Sequence, residues 1–118
     1  MELTWKEILK PGSTPLYGKA AGVIVTGNED GAHDVCSTIL FSLTHLGCTV
    51  PPNADCYWVG DAGPGPSYIE ARGGRHLYTN RTARYMAHNL VYLAKLLKEN
   101  PIPTNLKKLD EEAKKVSD

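Results

Sequence analysis

Apolar positions fall into two short, nearly uninterrupted runs and two long periodic ones. The first short run, "AAGVIVT" over 20–26, is rich in β-branched residues and reads as a strand buried on both faces, as in a parallel sheet. Polar, glycine-bracketed residues follow, and then a helical pattern over 30–47. Val35, Ile39, Leu43 and Leu46 recur there at intervals of 4, 4 and 3, one face of a helix. Asp30 stands where an N-cap is expected, and Gly47 where a left-handed C-terminal residue is expected. The second short run, "DCYWVG", lies within 48–60, where Pro51 and Pro52 confine the first part to a bend or an edge. Gly- and Pro-rich chain from Gly60 to Thr79 reads as a long loop without structure of its own, of the kind that is functional or mobile. The second helix is predicted over Asn80–Asn100, with Met86, Leu90, Leu93 and Leu97 on one face, Thr79 or Asn80 as its cap, and Pro101 ending it. A short helix over 3–9, closed by Pro11-Gly12, and a turn-rich segment over 11–19 precede all of this. A charged tail that frays or forms a loose helix follows it. There is no internal repeat.

Short apolar strands alternating with amphipathic helices predict an α/β fold with a parallel sheet and flanking helices. The organisation expected is a turn-rich lead-in over 1–19, the α/β unit over 20–100 and the charged tail over 101–118. Two parallel strands, each apolar on both sides, cannot cover themselves with two helices. Further strands are therefore expected from elsewhere, with a homo-oligomer or a complementary subunit as the expected partner.

Composition narrows the function classes. The 118 residues fit one domain. Lys+Arg and Asp+Glu balance at 13 each, which lacks the basic footprint of a nucleic-acid binder. No apolar run approaches the about 20 residues of a membrane helix, and "MELTWKEILK" has no apolar signal stretch. A cytoplasmic location without membrane or nucleic-acid partners is the expectation. Cys36, Cys48 and Cys56 are odd in number, and with spacings of 12 and 8 they match neither a disulfide framework nor a zinc site. They read as small buried residues. The proximity of Cys36 to His33 leaves open a lowered-pKa thiol. The histidines show no i, i+4 ligand pair, so no metal site is expected.

The order of "YGKAAGVIVTGNEDGAH", a helix ending in "LTHLGCTVPPNADCYWVGDAG" and a helix of the type "RTARYMAHNLVYLAKLLK" resembles the C-terminal half of flavodoxin-like NAD(P)H-dependent FMN reductases, over about residues 17–100. The resemblance implies a flavodoxin-like three-layer fold, a five-stranded parallel sheet with helices on both faces. "AAGVIVT" would be its fourth strand and "DCYWVG" part of its fifth, the first three strands being absent from this sequence. It implies FMN at the carboxyl ends of the strands, where open α/β sheets bind ligands. Thr26, Gly27, Asn28, Glu29, Asp30, Gly31 and His33 would then line the isoalloxazine ring. The glycines allow close backbone approach, and the helix N-terminus offers free N–H groups and partial positive charge. The implied activity is electron transfer from NAD(P)H through FMN to a quinone or similar small-molecule acceptor.

No catalytic side chain is singled out. The family's Ser/Thr-rich phosphate loop is not found in the sequence, so an alternative stays open: a truncated remnant or assembly module that does not bind FMN by itself. At single positions, His33 is either a surface or capping residue or a hydrogen-bond partner of the flavin or substrate. Tyr57 and Trp58 either pack at the core and rim or stack beside the ring. His45 and His88 are expected to pack or face solvent on the helices, and His76 falls in the long loop.

Overall fold

The computed structural model describes residues 14–118. The helix expected over 3–9 lies outside the described residues. Two parallel strands, β1 (Val23–Asn28) and β2 (Asp55–Gly60), form a two-stranded sheet with Val23 opposite Asp55 and Asn28 opposite Gly60. Helix α1 (Ala32–His45) connects them. Helices α2 (Leu77–Glu99) and α3 (Leu106–Lys114) follow β2.

β2 has the limits that "DCYWVG" predicts. β1 is displaced from the expected 20–26. Its ladder runs on through Gly27 and Asn28, and upstream only Ala20 bridges, to Thr49. The interruption lies opposite Pro51 and Pro52, which have no N–H to donate, and beside the turn at Asn53, whose φ is 55°.

α1 ends as its sequence requires. Gly47 adopts φ 107°, its N–H bonds to the Thr44 carbonyl and the Cys48 N–H to the Leu43 carbonyl, a Schellman closure. The buried Thr14 hydroxyl donates to the Leu46 carbonyl at 3.1 Å and satisfies another end group. The other end of α1 corrects the expectation. The N-cap is Gly31, without a side-chain cap, and Asp30 lies outside the helix. The buried face is also not the one predicted. Ala32 and Cys36 are buried and Leu40 and Leu43 half-buried, while Val35, Ile39 and Leu46 are exposed. Small residues let α1 sit close to the sheet, and the larger aliphatic stripe is left outside.

α2 begins three residues before its expected start. His76, not Thr79 or Asn80, is its N-cap, accepting from the Thr79 N–H. Met86 and Leu97 are buried and Leu90 and Leu93 half-buried, as the periodicity predicts. α2 packs on β2: Cys56 Sγ lies 3.4 Å from the Thr79 carbonyl, and the Thr79 hydroxyl donates to the Tyr57 carbonyl at 3.0 Å. Gly22 is a point of close approach, since a Cβ there would stand 2.8 Å from Met86 Sδ and 2.9 Å from the Ala54 carbonyl. α3 buries no residue and is held by Asn105 capping the Lys108 N–H and by a Lys114–Asp110 ion pair.

The segment between β2 and α2 is ordered, contrary to the expected structureless loop. Ser67 and Glu70 form a reciprocal capping box, with the Ser67 N–H on Glu70 Oε2 at 2.8 Å and the Glu70 N–H on Ser67 Oγ at 3.4 Å. A 3₁₀ turn spans Gly73–Arg75. Tyr68 meets buried Trp58 edge to face, with ring centroids 5.6 Å apart. The segment thus acts as a cover for the end of β2.

Candidate functional site

The carboxyl end of β1 and the amino end of α1 enclose a cavity of about 190 Å³. Thr26, Gly27, Asn28, Glu29 and Gly31 line it, with Val25, Ala32, Val35 and Val59 as its apolar floor and wall. Five of the seven residues predicted to meet a ligand are therefore gathered in one place. Gly27 and Gly31 face open space, with no atom within 4 Å of where a Cβ would stand at either. Gly31 contributes no side-chain cap, so the first N–H groups of α1 lack an intrahelical acceptor and keep their donors for a ligand.

Asp30 and His33 stand apart from this cavity. They pair with each other, His33 Nδ1 to Asp30 Oδ1 at 3.8 Å on an exposed surface, and His33 Nε2 lies 3.1 Å from the Tyr57 hydroxyl. The Tyr57 hydroxyl is in turn 3.2 Å from that of Tyr78, over whose ring Arg81 rests at 5.8 Å. Tyr57 is pushed up to about 12 from its ordinary 10, first by the hydrogen bond with Tyr78 and then by burial. It stays a neutral phenol at physiological pH.

Asn28 and Glu29 have a second role that sequence reasoning did not give them. Asn28 Nδ2 donates to the Gly65 carbonyl at 3.0 Å, and Glu29 Oε1 accepts from the Gly63 N–H at 2.9 Å. Both tie the β2–α2 segment to the rim of the cavity. Glu29 achieves this in a left-handed backbone conformation, φ 64°, which costs a non-glycine residue about 1–2 kcal/mol. Strain held at the tip of a cavity loop is characteristic of ligand sites.

Trp58 is buried beneath Tyr68 and beside Gly73, so it packs rather than lines the cavity. Cys36 is a buried thiol whose pKa is raised, chiefly by burial and then by Asp55 and Cys56, the opposite of an activated nucleophile. Cys48 is raised by burial as well. Among the described residues no group of three or more His, Cys, Asp or Glu side chains is placed to hold a metal. No helix among them is long and apolar enough to cross a membrane. A larger cavity of about 550 Å³ lies along α2 between Asn53, Arg84, Tyr85, His88 and Asn89. It sits by the amino end of β2, where no carboxyl end of a strand and no helix N-terminus converges, so the smaller cavity is the better ligand candidate despite its size.

Comparison with known proteins shows what the chain is similar to. No protein-family model matches the chain. It is 50% identical over 104 residues to 8-demethyl-8-aminoriboflavin-5'-phosphate synthase of Streptomyces davaonensis, a match spanning 88% of this chain and 40% of that protein. It is 45% identical over 89 residues to the divalent metal cation transporter MntH of Mycobacterium bovis, across 74% of this chain but 13% of the transporter. Among solved structures it superposes on RosB with the bound intermediate 8-demethyl-8-formylriboflavin-5'-phosphate, with a TM-score of 0.84 and 50% identity, over 88% of this chain and 41% of that one. The chain thus spans about two fifths of the length of the flavin-phosphate relatives it matches. Its fold is α/β, a parallel two-stranded sheet with flanking helices, and corresponds to part of a flavodoxin-like fold.

Proposed function

We propose that this chain forms one wall of a flavin-5'-phosphate site, at the cavity between the end of β1 and the start of α1. The observation that carries this is the 50% identity, across 88% of the chain, to an enzyme named for a riboflavin phosphate product. The cavity adds physical support. At about 190 Å³ it is smaller than the about 300–1,000 Å³ of a site that encloses a whole drug-sized ligand, so it fits a ring edge and not an entire FMN. The free N–H groups at the start of α1 supply donors for flavin carbonyl oxygens and ring nitrogens, and Gly27 and Gly31 leave open space for the ring edge to approach. The positive end of the helix favours negative charge at that edge. Val25, Val35 and Val59 shield one side from water.

A bound flavin would supply hydride and electron-transfer chemistry, and the residues of this chain orient its edge and tune its electrostatics. On this reading the activity is an oxidoreductase of the NAD(P)H-dependent FMN reductase type, passing electrons to a quinone or similar acceptor. The name of the Streptomyces davaonensis relative favours a second reading, in which a flavin phosphate is the substrate whose ring is remodelled.

Titration of the purified protein with FMN and with riboflavin, followed by flavin fluorescence, tests the site. Saturable quenching is expected, weakened at least tenfold by Gly27→Leu, which adds bulk at a cavity-lining position where a Cβ meets no atom within 4 Å. Quenching unaffected by Gly27→Leu, or none at all, would contradict the site. NAD(P)H consumption with a quinone acceptor in the flavin-loaded protein separates the two readings. Turnover supports the reductase, and a ring-modified flavin product without NAD(P)H consumption supports the second.

A further inference from the structure

Charge is spread unevenly along the chain. From Ala71 to Lys98 there are six cations, Arg72, Arg75, Arg81, Arg84, Lys95 and Lys98, and no Asp or Glu. Of the 13 Lys and Arg, that leaves 7 to face all 13 Asp and Glu elsewhere, so a neutral protein has one distinctly cationic element, centred on α2. The ion pairs among the described residues are His33–Asp30, Lys108–Glu112 and Lys114–Asp110, and none of them neutralises a charge of that element.

The cavity of about 550 Å³ lies on this element. Arg84 and His88, one turn apart on α2, line it together with Tyr85, Asn53 and Asn89. Its volume falls in the range of about 300–1,000 Å³ that suits a small ligand. Side chains would do the recognition here, in place of the backbone groups of the flavin-edge cavity. Asn89 Nδ2 donates to the Pro52 carbonyl at 2.9 Å and lies 3.5 Å from Asn53 Oδ1. These contacts hold the Asn53 turn, with its left-handed φ of 55°, against α2. The two amides keep complementary groups. Asn53 Nδ2, a donor, and Asn89 Oδ1, an acceptor, have no hydrogen-bond partner among the described residues. The Tyr85 side chain is half-exposed beside them.

We propose that this cavity binds a nucleoside monophosphate. Arg84 and His88 hold the phosphate, the guanidinium through paired N–H donors that match phosphate oxygens. The Tyr85 ring stacks on the base. The amides of Asn53 and Asn89 read a base edge that offers both a donor and an acceptor, as adenine does. A bare inorganic anion would engage the cations and leave the ring and the amides unused. A single-stranded polynucleotide fits less well, because the chain as a whole is neutral and the amide pair occurs at one place only. The cavity shares no lining residue with the flavin-edge cavity and does not depend on it.

Calorimetric titration of the full chain with adenosine 5'-monophosphate, adenosine, inorganic phosphate and a tetra-adenylate strand tests the site, with and without FMN. The monophosphate should saturate at one per chain, and adenosine and phosphate should each bind about tenfold or more weakly, since each lacks part of the contacts. Arg84→Gln should weaken monophosphate binding about tenfold or more by removing a charge-assisted contact. Lys108→Gln, on α3, should leave it unchanged. Tyr85→Ala should weaken the monophosphate and leave phosphate unaffected. Arg84 and Tyr85 are exposed, so both variants should keep the wild-type circular dichroism. No saturable binding of the monophosphate, phosphate bound as tightly, indifference to Arg84→Gln, or saturation by the tetra-adenylate strand alone would each overturn the proposal. Competition between the monophosphate and FMN would overturn it as well. Monophosphate binding that persists where FMN fails to bind would refute the flavin site and leave this one standing.

Discussion

Ile24 and Cys56 are register partners on the same face of the same sheet, yet Ile24 is 67% exposed and Cys56 is 2% exposed. The difference comes from the chain segment after each strand. β2 leads into an ordered segment and then α2, which fold back over it and fix Cys56, Tyr57 and Trp58 through Thr79 and Tyr68. β1 leads into α1, which covers the opposite face with small residues. Nothing among the described residues lies over Ile24. One strand has its cover attached, and the other carries an apolar side chain that nothing among the described residues covers.

Substitutions on the two strands should separate most widely in stability. Trp58→Ala removes a buried aromatic from under Tyr68 and should cost about 3–5 kcal/mol in chemical denaturation. Ile24→Ala removes a side chain that is mostly in water and should cost less than about 1 kcal/mol in the same measurement. Equal costs would mean that Ile24 is covered in solution.

Glu29→Gly keeps the left-handed backbone but removes the acceptor of the Gly63 N–H. Loss of one hydrogen bond worth about 1 kcal/mol should speed exchange of the Gly63 amide roughly fivefold and leave Cys56 unchanged. Exchange that spreads to β2 would show the rim and the core to be one cooperative unit.

The smallest effect concerns the β2 side alone. Tyr78→Phe removes the main cause of the raised Tyr57 pKa, so ultraviolet titration should move Tyr57 from about 12 toward 10. The sign follows from the folded value lying above the unfolded one. The neutral phenol's contribution to stability is complete below about pH 10 and is lost as pH rises through about 12. A wild-type Tyr57 that titrates near 10 would show that the Tyr57–Tyr78 contact does not persist.

β2, the closure at Gly47 and the buried stripe of α2 were legible because each is a local pattern: a run bounded by Asp55 and Gly60, a glycine after a periodic segment, and a four-residue apolar repeat. The face of α1 was not, because that helix is apolar on two sides. Size favours Val35 and Ile39, but close packing on the sheet selects Ala32 and Cys36. The cavity residues were named through the family resemblance, since glycine and small polar residues after an apolar strand suit a plain turn equally well. Their bonds to Gly63 and Gly65 were not, since those partners are 34 and 37 residues away. His76 escaped notice as a cap because histidine is not among the residues usually favoured there. The Ser67–Glu70 box could have been found, since Ser-x-x-Glu is itself a helix-start signature.

On the proposed function, the end of β1 and the start of α1 meet a flavin edge. The most direct measurement is a map of backbone amide shifts on addition of FMN to isotope-labelled protein. Saturable shifts are predicted at Thr26, Gly27, Asn28, Gly31 and Ala32, with smaller ones at Gly63 and Gly65 through the Glu29 and Asn28 ties. Shifts confined to Arg84, Tyr85, His88 and Asn89 along α2, or none anywhere, would contradict the claim.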